Sequence, residues 1–115
     1  MGPGGPHLVP ICFALAADVL YSAIDHKPKT GASLRRLENI RHEARVAVLA
    51  DHYDDDWSRL WWVRADGHAR ILTEGAERAS ALELLRSKYP QYESDPPDGP
   101  VVAVDIERWS SWAAS

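Results

Sequence analysis

With 115 residues, 45% of them apolar and 26% charged, the chain is sized for a single domain, residues 1–115, with a real core; these values exclude disorder and a fibrous class. A formal net charge of −4 argues against nucleic acid as a partner. No run approaches the roughly 18 apolar residues of a membrane span, and residues 1–6 have neither the basic nor the apolar region of a signal peptide, so no membrane partner and a cytoplasmic location are expected. Cys12 is the sole cysteine, which rules out a disulfide within the chain, and its apolar neighbours predict a small buried core residue.

Residues 8–14 are apolar on both faces, as in a strand of a covered sheet, although Pro10 demands an edge, a bulge or a missing ladder bond. Asp18 marks a turn into a second strand over 19–24, and the two read as a hairpin. Next comes His26-Lys27-Pro28-Lys29, where the proline restricts itself and Lys27 and so holds two ammonium groups with little freedom. Ser33 can cap a helix with Leu34, Leu37 and Ile40 on one stripe and Arg35, Arg36 and Arg41 turned outward. A third strand spans 46–51 and a fourth begins at 60–63. There Asp66-Gly67 is either a tight hairpin turn, the stronger short-range signal, or a bulge in one strand over 60–72. A helix over 77–89 with Ala79, Leu82 and Leu85 inward stops at Pro90, and after a stiff connector at 95–100 the last strand runs over 101–109. The order suggests a mainly β, α+β fold: a small antiparallel barrel with helices on its rim.

Basic residues crowd positions 27–45, and the acidic stretch at 51–56 follows directly. The two lysines around Pro28 suit a phosphate, whereas the alternative for that segment is a solvated turn. Asp51-His52-Tyr53-Asp54-Asp55-Asp56-Trp57 lacks the alternating ligands, glycine and distant glutamate of an EF-hand, so a solvated acidic loop is the better reading, and no metal is expected. No glycine-framed nucleophile or glycine-rich phosphate loop is present. Five tryptophans, Trp57, Trp61, Trp62, Trp109 and Trp112, are more than a small core needs, which places some of them at a pocket or subunit interface. A flat heteroaromatic ligand with a phosphate tail would use both the tryptophans and the lysines.

The segments Pro6-His7-Leu8-Val9-Pro10, Tyr21-Ser22-Ala23-Ile24-Asp25-His26-Lys27-Pro28-Lys29, Leu34-Arg35-Arg36-Leu37-Glu38-Asn39-Ile40, residues 51–67 and Lys88-Tyr89-Pro90-Gln91-Tyr92 together resemble the pyridoxamine 5′-phosphate oxidase-like superfamily of FMN-binding split barrels. Within it, the chain looks like the actinobacterial branch of coenzyme F420-dependent enzymes. The resemblance covers residues 6–112. It implies a six-stranded split β-barrel with short rim helices, paired as a homodimer, with a flavin or deazaflavin between the subunits. By the same likeness Ser22, His26, Lys27 and Lys29 would hold the cofactor phosphate, Val9 and Pro10 would flank its ring, and His52, Trp57 and Trp109 would close the groove from the other subunit. It also favours the bulge at Asp66-Gly67. Family members usually carry a helix and a strand ahead of the turn seen here as Gly2-Pro3-Gly4-Gly5-Pro6, which leaves either a late start or a barrel without its first strand and with an exposed edge.

The activity so implied is an oxidoreductase passing hydride between F420 and a small organic substrate. FMN is the alternative cofactor, because a lysine pair recognises either phosphate, and a non-catalytic cofactor or tetrapyrrole carrier is the alternative function. Because the cofactor supplies the chemistry, the absence of an acid–base constellation is consistent with catalysis.

Overall fold

The computed structural model describes residues 7–24 and 31–115, with the helical backbone alone for 31–34. Five strands, β1 (Ala14–Ala16), β2 (Val19–Ala23), β3 (Arg45–His52), β4 (Trp61–Leu72) and β5 (Val101–Ala113), form one antiparallel sheet in the order β1-β2-β5-β4-β3. Helix α1 (Gly31–His42) links β2 to β3, and α2 (Ala76–Lys88) with the single turn α3 (Gln91–Ser94) links β4 to β5. The mainly β, α+β expectation holds. Six strands were implied, and the described residues carry five.

Alternation along the strands divides the core between the two sheet faces. Leu20, Val102, Val104 and Ala69 pack with Ile24 and with Leu37 of α1, joined by Ile40, Val46, Val48, Ile71 and Ile106. On the opposite face Tyr21, Ala23, Val101 and Ala103 meet Ala81 and Leu85 of α2, both fully buried. Ala79, expected inward, is exposed, because the stripe of α2 that meets the sheet runs through Ala81 and Leu85. A polar clamp fastens the same helix. Arg70 donates to both carboxylate oxygens of Glu77, each at 2.9 Å, and to Asp105 at 2.6 and 2.9 Å, while the Tyr21 hydroxyl donates to Glu77 Oε2 at 2.8 Å. The bonds from Arg70, then that from Tyr21, hold the Glu77 carboxyl down at about 2.

The first hairpin forms, but its leading strand is short. Leu8 is 95% exposed and only Ala14–Ala16 pairs with β2. Residues 8–13 find other partners: Ile11 and Phe13 pack on the core, the Phe13 N–H bonds the Tyr89 hydroxyl at 3.0 Å, and the Phe13 carbonyl accepts from Lys88 Nζ at 2.6 Å. Side chains from the end of α2 thus satisfy backbone groups that a ladder would otherwise use. Cys12 lies in this irregular segment and is exposed, contrary to the buried position expected for it.

At Asp66-Gly67 the chain does not turn. β4 is one twelve-residue strand, and the register to β5 shifts between Asp66 and Gly67 as a bulge. A hairpin there would break two ladders at once, since β4 bonds β3 on one edge and β5 on the other. Gly67 is required for a local reason too: a Cβ at this position would lie 2.2 Å from the Asp105 carbonyl oxygen. β5 also runs past its expected end at 109 to Ala113, pairing with the first half of β4. Among the described residues no helix is long and apolar enough to cross a membrane.

Candidate functional site

Two regions carry the residues of interest. The first is at β2, where Ser22 faces the α1 side of the sheet and is 2% exposed. Arg36 of α1 donates from Nη2 to Ser22 Oγ at 2.9 Å. Arg36 was expected to turn outward; instead its guanidinium is partly buried, and that burial lowers its pKa below the ordinary arginine value. One turn further along α1, the Asn39 side chain has both amide atoms buried, and neither finds a hydrogen-bond partner among the described residues. Buried amides are rarely left in this state, and positions three apart on a helix share a side. A cation, a hydroxyl and an amide therefore lie along the β2–α1 junction. His26, Lys27 and Lys29 belong to the connection between these two elements and lie outside the described residues.

The second region is the far end of the arm made by β3, β4 and the end of β5, beyond the helices. Cross-strand register aligns Asp51 with Trp62 and Trp62 with Trp112, and Leu49 with Arg64. These five residues, with Tyr53, Leu60, His52 and Trp61, line a recess of about 440 Å³. Arg64 is fixed by its neighbour two positions on: Nε lies 3.1 Å from both Asp66 oxygens and Nη2 lies 2.8 Å from Oδ1. The His52 ring stacks on Trp61 with centroids 6.1 Å apart, and its Nε2 is 3.7 Å from Asp54 Oδ2.

The acidic loop before β4 uses its carboxylates on its own backbone. Asp54 Oδ1 accepts from the Asp56 N–H at 2.8 Å, and Asp56 Oδ1 accepts from the Ser58 N–H and hydroxyl, starting a short 3₁₀ turn, Trp57–Arg59. Trp57 on this turn is 72% exposed and is not part of the recess. Trp109 pairs with Ala65 on β4 and brings its indole N–H to 3.5 Å from Asp18 at the first hairpin. Val9 is half-buried and Pro10 exposed in the irregular segment before β1.

Among the expected site residues that the structure describes, then, only Ser22 has a polar partner of the kind a phosphate would meet, and only His52 borders the recess. Arg36 and Asn39 were missed. Their signal, a position beside the apolar stripe of α1, becomes visible only once β2 is known to lie beneath it. Trp61, Trp62 and Trp112 are among the tryptophans expected at a pocket or interface, whereas Arg64 was missed, because the face it shares with Trp62 and Trp112 emerges only when β4 is taken as one uninterrupted strand.

A family model described as Pyridoxamine 5′-phosphate oxidase matches residues 2–113. Among solved structures, a conserved hypothetical protein from Mycobacterium tuberculosis, Rv2991, superposes with a TM-score of 0.76 at 21% identity, over 99% of this chain and 73% of that one. A FAD-binding protein from Mesorhizobium loti gives 0.69 at 23%, over 96% and 79%. A candidate 5-nitroimidazole antibiotic resistance protein from Bacteroides thetaiotaomicron gives 0.71 at 15%, over 94% and 69%. At these identities the likeness shows the fold, which is of the split-barrel type. No curated protein matches the chain.

Proposed function

Since the chain belongs to the pyridoxamine 5′-phosphate oxidase family, we propose that it is an oxidoreductase that binds a deazaflavin, coenzyme F420, or in its place FMN, and passes hydride between that cofactor and a small organic substrate. The observation that carries this reading is the half-buried Arg36 guanidinium on the buried Ser22 hydroxyl, next to a connection whose sequence supplies Lys27 and Lys29. A phosphate suits that donor set: Arg36, the serine hydroxyl and two ammonium groups all present N–H or O–H bonds to oxygen. Asn39, with unmatched amide atoms one turn along α1, is the further group that a ligand at this junction would satisfy.

In this reading Ser22, His26, Lys27, Lys29 and Arg36 hold the phosphate, Val9 and Pro10 flank the ring, and the chain pairs as a homodimer in which His52, Trp57 and Trp109 close the groove of the partner. The cofactor supplies the hydride chemistry when bound; the protein binds it, orients it and excludes water.

The test is equilibrium binding of F420 and FMN to Lys27→Ala, Lys29→Ala and Arg36→Ala proteins. Each should weaken the preferred cofactor by about 1.5–3 kcal/mol, the usual value of a charge-assisted hydrogen bond, which is roughly 10- to 100-fold in Kd. Parent-like affinity in all three would remove the phosphate site. Oxidation of bound reduced F420 by an added acceptor, followed by absorbance, separates an enzyme from a carrier.

A further inference from the structure

The Lys88-Tyr89-Pro90-Gln91-Tyr92 segment contributes nothing to the phosphate site, and we propose that Lys88 and Tyr89 are positioning residues for the cofactor ring. They act through residues 8–13, whose course they fix. This role rests on the reading above, in which Val9 and Pro10 flank that ring.

Tyr89 stands where α2 ends. Its backbone N–H still bonds the Leu85 carbonyl at 2.9 Å, after which Pro90 stops the helix and leads into the single turn α3. That turn brings Tyr92 back onto Tyr89: the Tyr92 N–H meets the Tyr89 carbonyl at 2.9 Å, and the two rings pack edge to face with centroids 5.8 Å apart. Both rings also rest on the core cluster that contains Tyr21 and Leu85. From this rigid corner the Tyr89 hydroxyl meets Phe13 twice, accepting from its N–H at 3.0 Å and donating to its carbonyl at 3.1 Å. One side chain thus does for Phe13 what the peptide of a neighbouring strand would do. Lys88 donates to the same carbonyl at 2.6 Å, and its ammonium lies 3.9 Å from the centre of the Phe13 ring.

The attachment matters because little else holds the chain ahead of it. Among the described residues, 8–12 form no hydrogen bond with another element, and of these five only Ile11 packs on the core clusters. The backbone at Phe13 therefore aims the whole segment. Pro10 fixes its own φ and holds Val9 extended, so the direction set at Phe13 is passed on without a bend. A displacement of about 1 Å at a reacting ring can lower a rate by roughly 100-fold, which gives a remote attachment of this kind its leverage. The phosphate groups are independent of it. Ser22 and Arg36 lie on the α1 face of the sheet, whereas Lys88 and Tyr89 come from the end of the helix on the other face.

The experiment titrates F420 and FMN into the full chain and its Tyr89→Phe, Lys88→Met and Lys88→Arg variants, and measures inorganic phosphate as a competitor of the bound cofactor. Tyr89→Phe keeps the ring in the core and removes only the hydroxyl, and Lys88→Met keeps the stem and removes the charge. Each of these two should weaken the preferred cofactor about tenfold, while Lys88→Arg, which retains the charged donor, stays within about threefold of the parent. The inhibition constant of phosphate should stay within about twofold in all of them, because its groups are untouched. Amide hydrogen exchange should quicken at residues 8–13 and remain slow in the β2–β5 ladder. Parent-like cofactor affinity in both Tyr89→Phe and Lys88→Met overturns the proposal, as does an equal loss of phosphate and cofactor, which would mean a loosened fold and not a misplaced ring. A parent that binds neither cofactor removes the oxidoreductase reading and this role with it, whereas a parent that binds and variants that match it remove this role alone.

Discussion

Ala17 holds a φ of 53° in the turn between β1 and β2, a left-handed conformation that costs an L-residue with a Cβ about 1–2 kcal/mol. Glycine avoids that strain and loses roughly 0.5–1 kcal/mol in chain entropy. Ala17→Gly should therefore stabilise the protein by about 0.5–1 kcal/mol, and an unchanged or lowered urea midpoint would show that the turn is not strained. Gly67 is the opposite case. With the Asp105 carbonyl 2.2 Å from the place of a Cβ, Gly67→Ala must push two central strands apart and should cost about 1–3 kcal/mol in the same assay. At the site, the informative residue is Arg36, whose guanidinium is drawn inward to a neutral hydroxyl rather than outward to water.

At the scale of elements, the attachment of α2 to the sheet depends on pH. Bonds from Arg70 and then Tyr21 move the Glu77 carboxyl from an ordinary 4.5 to about 2. A group whose pKa is lower in the folded state stabilises that state above its unfolded value and loses the contribution as pH falls toward the folded one. The clamp should accordingly weaken from about pH 4.5 downward and be lost near pH 2. Glu43, held at about 2 by bonds from Arg45, loses its contribution in the same window. Thermal melts between pH 5 and 2 should thus show a shallower decline for Glu77→Gln than for the parent, with Glu43→Gln as the comparison. Parallel curves for parent and Glu77→Gln would mean that the clamp contributes nothing to stability. The long β4 is the other element-level feature: its bulge lets one strand serve both the packed barrel and the arm that carries the recess.

For the whole molecule, most of the exposed large apolar side chains among the described residues share one region, with Leu8, Leu15 and Leu84 elsewhere. Leu49, Tyr53, Trp57, Trp61, Trp109 and Trp112 all lie on the arm or its loop, where neither α1 nor α2 covers them. Exposed apolar surface of that composition suits the subunit association proposed above. The homodimer proposed above predicts a particle of twice the chain mass by light scattering at micromolar concentration, and a monomer there would contradict it. In the dimer, Trp57→Ala and Trp109→Ala should impair cofactor binding more than a change on the exposed side of α2 such as Glu83→Ala. These two tryptophans are separate from the Trp62–Trp112 pair, because alternation about Ala65 and Trp62 puts Trp109 and Trp112 on opposite faces of the sheet.

Local pattern was enough to determine the α+β class, the hairpin at Asp18, both long helices and the third and final strands, because apolar periodicity and turn chemistry act over a few residues. The likeness of the His-Lys-Pro-Lys and Asp-His-Tyr-Asp-Asp-Asp-Trp segments was enough to anticipate the family that the match over residues 2–113 establishes. Tertiary structure decided the rest, and each decision turned on a partner remote in the chain. Asp66-Gly67 became a bulge because β3 and β5 bond both edges of β4. Residues 8–13 left the sheet because Lys88 and Tyr89, some 75 positions away, took over the backbone of Phe13. Arg36 turned inward because Ser22 of β2 lies under α1, and the recess exists because a bulge brings Trp112 opposite Trp62. Hydrogen-bond partners and opposed faces of this kind are set by long-range pairing, so a code read over a window of ten residues has no access to them.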